Sequence, residues 1–270
     1  MEKKFMGFIG TGNMGGALAR AAVKHVDPAQ ILLSNRHPEK ADVLGAELGC
    51  TVTPVETVAG SCKYIFLGVK PQMMKDLMKQ IVPVLRQRND RFILVSMAAG
   101  LTAERIQQFT NGDYPVLRIC PNTPVGIGCG VIMYCKNALL SAEQEQQLVK
   151  ALSPAGIVDP LEEHLMDAGS ALCGCSPAFT DLYMEALADG AVACGIPRAK
   201  ALKYAAAAVA GAAQLALESG IHPGALKDAV CSPGGSTIQG VRTLENHAFR
   251  GAVMEAVIMA AGASGNLGKK

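Results

Sequence analysis

The sequence contains no tryptophan, aromatic residues make up only 4% of it, and neither sign of charge dominates. Lysine and arginine number 25 against 23 acidic residues, without a block of like charge, so the chain lacks the basic patches typical of nucleic-acid binding. Long apolar runs are also missing, because the stretches 204–217 and 251–262 are interrupted or too short to cross a bilayer. The N-terminal Met-Glu-Lys-Lys leads straight into a strand-like run, unlike a signal peptide. We therefore expect a cytoplasmic protein with neither a nucleic-acid nor a membrane partner.

The cysteines and histidines indicate neither a disulfide framework nor a metal site. Nine cysteines are scattered along the chain without a Cys-x-x-Cys pair, and Cys173 and Cys175 are two apart in a helical pattern, so they point away from each other. The five histidines have no spacing that would make a ligand pair. We expect small buried thiols in a reducing compartment.

The chain does have enough apolar residues for a large core, since hydrophobic residues make up 50% of its 270 positions. Up to about residue 160, short apolar runs alternate with helical periods, a pattern typical of βαβ units and a parallel sheet. It predicts strands at 4–9, 31–34, 51–52, 64–69, 92–96, 116–120 and 131–134, and helices at 14–24, 73–86 and 102–109. Ser141 and Gln144 form a capping box that opens one more helix. Residues 1–161 are therefore assigned to a doubly wound α/β domain.

From residue 162 the strand signals fade, and the sequence predicts an all-helical domain over 162–270. The expected helices are 163–194, 199–219, 224–229, 237–246 and 249–261, separated by proline and glycine clusters. The segment 204–217 is alanine-rich and apolar nearly all round, which predicts that it is buried. A helical domain with such a segment indicates packing against another subunit, so we expect a homo-oligomer.

The sharpest motif is Gly10-Thr11-Gly12-Asn13-Met14-Gly15, which follows the first predicted strand and opens the first predicted helix. Gly10 suits the tight turn, Gly12 lets the backbone approach a pyrophosphate, and Gly15 permits close helix–strand packing. The helix N-terminus adds free N–H donors. The alternative is a glycine-rich turn without a ligand, but the strand before and the helix after favour a Rossmann-type dinucleotide site.

The end of the second strand indicates which dinucleotide is used. An NAD enzyme usually has an acidic residue there, which binds the ribose 2′-hydroxyl. This chain has Ser34-Asn35-Arg36, with no carboxylate before Glu39. Arg36 can pair with a 2′-phosphate, and Ser34 and Asn35 can donate to it. NADPH is therefore favoured, while use of NADH and a merely solvated Arg36 stay open as alternatives.

Further loops follow predicted strands at the sheet edge where ligands bind in open α/β folds. Each of these loops is expected to line the nicotinamide side of the cofactor. Their candidate residues are Val69, Lys70 and Pro71, then Ala98 and Ala99, then Pro121 and Asn122.

A second motif lies in the helical region, where Gly234 and Gly235 precede Ser236-Thr237 at a predicted helix start. Consecutive backbone N–H groups in such a turn can bind a carboxylate or phosphate. The alternative is a plain helix start capped by a serine or threonine hydroxyl. The residues alone leave these two interpretations equal.

Together these motifs resemble the pyrroline-5-carboxylate reductase family over nearly the whole chain. The matching segments are Phe8 to Gly15, Val69-Lys-Pro71, Arg118-Ile-Cys-Pro-Asn-Thr-Pro124, Pro177-Ala-Phe179, Glu185-Ala-Leu-Ala-Asp189 and Ser232-Pro-Gly-Gly-Ser-Thr237 followed by Leu244-Glu245. The Ser232–Thr237 segment is the most specific to the family, because the glycine motif alone fits many dehydrogenases.

The resemblance implies a Rossmann domain followed by a helical domain that interlocks two subunits, with dimers that assemble further into decamers. It implies hydride transfer from NAD(P)H to the C=N carbon of 1-pyrroline-5-carboxylate, the step that gives proline. The substrate residues implied are Val230, Gly234, Gly235, Ser236 and Thr237, with backbone amides on the carboxylate, and Thr237 as the catalytic residue beside the ring nitrogen. In the family, a partner subunit's copy of this loop completes the site.

Departures from the family keep two other functions open. Cys173-Gly-Cys-Ser-Pro177 stands where a Ser-Gly-Ser-Gly-Pro sequence is common, and Thr53-Pro-Val55 stands near a position where an asparagine is common. A non-catalytic NADP-binding paralogue would tolerate these changes. A β-hydroxyacid dehydrogenase shares the glycine motif but needs a Gly-x-x-x-Lys pattern, and Gly195 to Lys200 lacks that spacing.

Overall fold

The computed structural model describes residues 2–267 and contains an eight-stranded sheet and a set of helices. The strands are β1 (Lys4–Ile9), β2 (Ile31–Ser34), β3 (Thr51–Val52), β4 (Cys62–Leu67), β5 (Ile93–Ser96), β6 (Val116–Pro121), β7 (Gly130–Lys136) and β8 (Gly156–Pro160). The α-helices are α1 (Asn13–Ala22), α2 (Pro38–Leu48), α3 (Val55–Ser61), α4 (Met74–Leu85), α5 (Ala103–Thr110), α6 (Ala142–Leu152), α7 (Met166–Gly169), α8 (Ser176–Ala193), α9 (Arg198–Ser219), α10 (Pro223–Ala229), α11 (Ser236–Asn246) and α12 (Phe249–Leu267).

The strand order is β3-β2-β1-β4-β5-β6-β7-β8, and the pairs from β3 across to β6 are all parallel. The chain leaves β1 toward β2 on one side and returns to β4 on the other. This reversal of strand order opens a crevice outside the carboxyl ends of β1 and β4, where such sheets bind ligands. The predicted doubly wound sheet is confirmed.

The core lies on both faces of this sheet, as the nearly continuous apolar strands predict. Phe8 and Phe66 stack at 4.4 Å on the face covered by α1 and α6. Their neighbours Ile9 and Leu67 point to the opposite face, where they pack with side chains of α3 and α4. Each buried strand therefore contributes alternate side chains to two apolar layers.

The predicted strands are confirmed to within two residues at each end, but the far edge of the sheet differs from a purely parallel one. β7 runs antiparallel to β6, because the short loop after Pro121 cannot provide the long crossover that parallel neighbours need. β8 was missed: Gly156–Pro160 is a short edge strand that ends in proline and is only partly buried.

The predicted single helix over 163–194 is wrong. The structure has a 3₁₀ turn, the short α7, a π-helical turn at Ser170–Cys175, and then α8. Pro177 explains the interruption, because its ring cannot donate to the carbonyl four residues earlier and clashes with it. That carbonyl belongs to Cys173, and it accepts a hydrogen bond from Asn122 Nδ2 at 3.1 Å instead.

The chain divides into two compact units, the second of which comprises Ser176–Ile258. The helices of this second unit bury only small side chains among themselves, namely Ala188, Ala201 and Ala205. The alanine-rich segment is not buried within a single chain, since Tyr204 and Leu217 are 56% and 68% exposed. This apolar exposure is what a subunit interface would cover. The domain boundary between residues 161 and 162 stays a prediction.

Candidate functional site

The glycine motif forms the turn that the sequence predicts between β1 and α1. Gly10 has φ +99, a conformation that favours glycine, and its N–H donates to the Ser34 carbonyl at 2.8 Å. Gly12 is the N-cap of α1 and no side chain caps this helix. The first N–H groups of α1 therefore remain available to an anion.

Close packing around the motif leaves space only on its outer side. A Cβ atom on Gly15 would overlap the Gly10 carbonyl oxygen, whereas a Cβ on Gly12 would meet no atom within 4 Å. The Thr11 side chain is buried, and its hydroxyl has no hydrogen-bond partner within the described residues. Such buried hydroxyls are normally satisfied. Open amides, free space and an unsatisfied hydroxyl fit the pyrophosphate of a dinucleotide.

A crevice of about 1010 Å³ opens outside this turn. Seven residues that the sequence predicts as cofactor contacts line it, namely Gly10, Gly12, Ser34, Asn35, Arg36, Val69 and Lys70. They come from the loops after β1, β2 and β4, which the strand order brings together. A volume of this size suits an extended dinucleotide rather than a small acid.

The β2 end of the crevice is cationic. Arg36 is exposed and makes no ion pair within the part of the chain that the structure describes, whereas Glu39 does not line the crevice. His37 and Lys40, which the sequence analysis missed, also line it. Lys40 lies in the first turn of α2, whereas Arg36 precedes that helix, so no helical spacing in the sequence links the two and the fold is what places both at the crevice. This set of donors fits a 2′-phosphate.

The opposite wall comes mostly from residues without a sequence motif, although Thr53-Pro-Val55 stands near a position where the family often has an asparagine. Thr53 follows β3 and Glu56 lies on α3. Met73 precedes α4, and one face of α4 adds Asp76, Leu77 and Gln80. Gln80 Nε2 donates to Glu56 Oε1 at 2.7 Å, which ties α4 to α3 across this wall. The spacing of three and four residues on α4 was the signal that could have identified them.

The remaining predicted cofactor residues do not line the crevice. Thr11 is buried within the glycine turn, and Asn13, Met14 and Gly15 form the start of α1. Pro71 opens a 3₁₀ turn, and Ala98, Ala99 and Pro121 follow or end strands. The Asn122 side chain is engaged, because it accepts from Val131 N–H at 2.8 Å and donates to Cys173 O. Contact of these residues with a cofactor stays a prediction.

A partly buried ion cluster lies beside the loop that follows β6. Arg118 is 4% exposed and donates to Glu163 and, at 3.1 Å, to Asp167. Burial acts to lower the pKa of the Arg118 guanidinium, but the two carboxylates more than offset it, so its pKa is raised. Glu163 also accepts from the Cys135 thiol at 3.1 Å. The Arg118 charge is therefore structural, because it joins β6 to α7 and to the 3₁₀ turn at Glu163–Leu165, which also contacts β7.

The second motif forms a tight turn at the start of α11. The Gly235 N–H donates to Ser232 O at 3.0 Å, and Gly234 has φ +70. Proline followed by such a glycine matches a type II turn. Gly235 is the N-cap and no side chain caps α11, so the capping alternative is not what the structure shows. The first backbone N–H groups of α11 therefore remain open, and Val230, Ser236 and Thr237 are exposed around them.

Comparison with known proteins decides the family. A family profile described as pyrroline-5-carboxylate reductase dimerisation matches residues 163–267, and one described as NADP oxidoreductase, coenzyme F420-dependent, matches residues 6–100. The pyrroline-5-carboxylate reductase of Escherichia coli is 39% identical over 260 residues, which cover 95% of both chains. The enzyme of that name from Glycine max is 36% identical, covering 96% of this chain and 94% of its own.

The chain belongs to the pyrroline-5-carboxylate reductase family.

Solved structures agree with this assignment. A pyrroline-5-carboxylate reductase from Coxiella burnetii superposes with a TM-score of 0.90 at 27% identity over 100% of both chains. A pyrroline carboxylate reductase from Plasmodium falciparum, with NADP bound, gives a TM-score of 0.87 at 27% identity over 99% of both chains. The family resemblance and the fold predicted from the sequence are thus confirmed, and the family membership argues against a β-hydroxyacid dehydrogenase.

Proposed function

We propose that this chain reduces the C=N bond of 1-pyrroline-5-carboxylate, with NADPH as the hydride donor, and so forms L-proline. The observation that carries the proposal is the uncapped turn Ser232–Thr237. It is the segment most specific to the family, and it has the open amides that a small carboxylate needs. The glycine turn and its crevice supply the second requirement, a place for a dinucleotide.

The chain's own residues account for cofactor binding. The amides at the start of α1 and the Thr11 hydroxyl would hold the pyrophosphate, and Arg36, Ser34 and Asn35 would hold the 2′-phosphate. When bound, NADPH supplies the hydride and its two electrons. The loops after β4, β5 and β6 orient the nicotinamide end and exclude water from it.

The residues of the Ser232–Thr237 turn bind and orient the imine. Backbone N–H groups of Ser236 and Thr237 bind the carboxylate, where the positive end of α11 adds to the attraction. Gly234 and Gly235 shape the turn around it, since the Gly235 N–H is used on Ser232 O. Val230 gives the ring an apolar contact. The site needs no activated nucleophile, because a cyclic imine is strongly electrophilic once its nitrogen carries a proton.

Thr237 acts at that nitrogen. Its side chain is exposed and makes no hydrogen bond within the described residues, so its hydroxyl is available to a ligand. A neutral threonine is a poor acid, so its role is to hold the N–H of an already protonated imine or to position a water that delivers the proton. These two sources of the proton remain alternatives.

The functional assembly is a homo-oligomer whose smallest unit is a dimer, with a decamer as the larger form. Exposed apolar side chains on α9 and α12, including Leu215, Met254 and Ile258, support the dimer. Among the described residues, no helix is long and apolar enough to cross a membrane. All nine cysteines are free thiols, which supports a cytoplasmic location.

A three-way assay tests the function against its alternatives. Purified protein is mixed with NADPH and 1-pyrroline-5-carboxylate, and separately with NADP⁺ and 3-hydroxy acids, while cofactor absorbance is followed. We expect NADPH oxidation in the first mixture alone, faster than with NADH. Turnover of hydroxy acids would indicate the dehydrogenase, and cofactor binding without turnover in either mixture would indicate the non-catalytic paralogue.

A further inference from the structure

A second hollow lies at the amino ends of the central strands, at the opposite end of β1 from the glycine turn. It has a volume of about 390 Å³, and its basic lining residues are Lys3, Lys4, Lys63 and Arg91. Lys4 opens β1, Lys63 is the second residue of β4, and Arg91 precedes β5. Since β1 spans six residues, the hollow is separated from the crevice by about 20 Å of strand. It is therefore distinct from the cofactor site.

The acidic group of this hollow is already neutralised. Asp90 accepts from Arg88 Nε at 2.9 Å and Nη2 at 2.8 Å, and Lys3 lies 3.3 Å from it. Arg88 is held in place by the carbonyls of Ala59 and Cys62. Hydrogen bonds from Arg88 hold the pKa of Asp90 well below its usual range, so the carboxylate stays ionised and paired. Its charge does not cancel the remaining cations.

Besides Lys3, three basic side chains line the hollow, and none of them is paired with a buried carboxylate among the residues that the structure describes. Lys4 is mostly buried and pairs with Glu2, whose exposed side chain leaves that pair screened by solvent. Lys63 donates to a neutral group, the Gln147 side-chain oxygen. Arg91 is exposed and has no ion pair within the described residues. Three basic residues that line one hollow are suited to a doubly or multiply charged anion such as a phosphate chain.

An aromatic side chain at the same place narrows the ligand class. Phe5 lines the hollow, and its ring is held edge-on against Tyr64 at 5.1 Å between centroids. Gln30 adds an amide that can donate and accept. Flat bases stack on fixed aromatic rings. The volume is within the range of small-ligand sites and too small for a nucleic-acid strand.

We propose that this hollow is a second ligand site, which binds a nucleoside polyphosphate with its phosphates on Lys4, Lys63 and Arg91 and its base against Phe5. The site is independent of the reductase chemistry, since none of its residues lines the crevice or belongs to the Ser232–Thr237 turn.

Calorimetric titration of the whole protein tests the proposal, with NADPH saturating so that the crevice is filled. We expect ATP to bind once per chain, pyrophosphate more weakly, and adenosine weakest. The double variant Lys63→Gln, Arg91→Gln should weaken ATP binding at least about 10-fold, the value of one charge-assisted hydrogen bond. The matched control Lys75→Gln, Arg105→Gln removes the same charge from exposed positions outside the hollow and should leave ATP binding unchanged.

A variant of Phe5 tests the placement of the base separately from the placement of the phosphates. Phe5→Leu should lower the affinity for ATP to that for pyrophosphate, with thermal unfolding checked to show that the fold is kept. Absence of ATP binding to the NADPH-filled protein would overturn the proposal, as would equal losses in the charge variant and its control. Pyrophosphate binding as tightly as ATP would contradict the placement of the base at Phe5.

Discussion

In the proposed mechanism, a single hydroxyl, that of Thr237, acts at the imine nitrogen. We expect Thr237→Ala to lower kcat/KM for the imine by about 10- to 100-fold, the usual effect of losing one hydrogen bond to a charged group. The dissociation constant for NADPH should not change, because Thr237 is absent from the crevice lining. Steady-state kinetics and a cofactor titration measure both. Thr237→Ser keeps the hydroxyl and should restore most of the rate, and an unchanged rate in Thr237→Ala would remove this residue from the mechanism.

We expect Arg36 to decide the preference for NADPH. Its guanidinium has no ion pair within the described residues, so its charge is available to the 2′-phosphate. Arg36→Ala should raise the KM for NADPH by about 10- to 100-fold and leave that for NADH nearly constant. The control Arg86→Ala removes an exposed arginine outside the crevice and should change neither. An equal rise in the KM values for NADPH and NADH would show that Arg36 does not bind the 2′-phosphate.

Asp90 gives the fold a measurable pH dependence. Its pKa is lowered in the folded state by Arg88, so it stabilises the protein above the ordinary aspartate pKa of about 3.9. That contribution to the free energy of unfolding is lost as the pH falls toward the lower pKa that Asp90 has in the folded state. Asp90→Asn should therefore cost about 1–3 kcal/mol at neutral pH, by leaving the buried Arg88 unpaired. The difference from wild type should shrink in acid.

Urea unfolding at pH 7 and near pH 3 measures this difference. Asp113→Asn serves as the control, since Asp113 is exposed and makes no ion pair within the described range. A loss of stability in Asp90→Asn that is the same at both pH values would contradict the ion-pair explanation.

Single residues of the site differ in how well the sequence predicts them. Gly10, Gly12 and Arg36 are predictable because a local motif fixes both their position and their chemistry. Glu56 and Gln80 line the same crevice, but no motif marks the segments that contain them. They lie at the crevice only because the strand order brings α3 and α4 beside it. Residues of this second kind need a tertiary structure before they can be assigned.

At the scale of an element, α1 provides a matched pair of glycines. A Cβ on Gly15 would overlap the Gly10 carbonyl, whereas a Cβ on Gly16 has its closest neighbour at 3.4 Å, the movable end of Arg20. Gly15→Ala should destabilise the protein by about 1–3 kcal/mol and weaken NADPH binding. Gly16→Ala should be neutral or stabilise by about 0.5–1 kcal/mol, because alanine favours a helix interior. Thermal unfolding and cofactor titration of both variants check this, and equal tolerance of the two would contradict the close approach.

The elements that the sequence predicts poorly share a cause. Strands β1, β2, β4, β5 and β6 are mostly apolar runs with clear limits, so their periodicity suffices. β8 is short and half-exposed, and the direction of β7 depends on the length of a loop rather than on a pattern. Pro177 signals the break before α8, but the π-helical turn also depends on Asn122, which is distant in sequence and accommodates the freed carbonyl.

At the scale of the whole molecule, the exposed apolar helices of the second unit predict that a single chain is not the working form. Met254 and Ile258 are four residues apart on α12 and more than 60% exposed. Met254→Glu with Ile258→Glu should weaken self-association more than about 100-fold, since each buried side chain contributes about 1.5–3 kcal/mol. Sedimentation at micromolar concentration should show monomers, while the control Lys75→Glu remains associated. A wild-type monomer under the same conditions would contradict the account.

The central claim is that hydride passes from the cofactor to the C=N carbon of a small imino acid. The most direct test supplies NADPH deuterated at the transferred position, together with 1-pyrroline-5-carboxylate, and analyses the product by mass spectrometry and NMR. The account predicts proline with one deuterium on the former imine carbon, formed in proportion to the NADPH consumed. Unlabelled proline, or no proline from folded protein that binds NADPH, would contradict it.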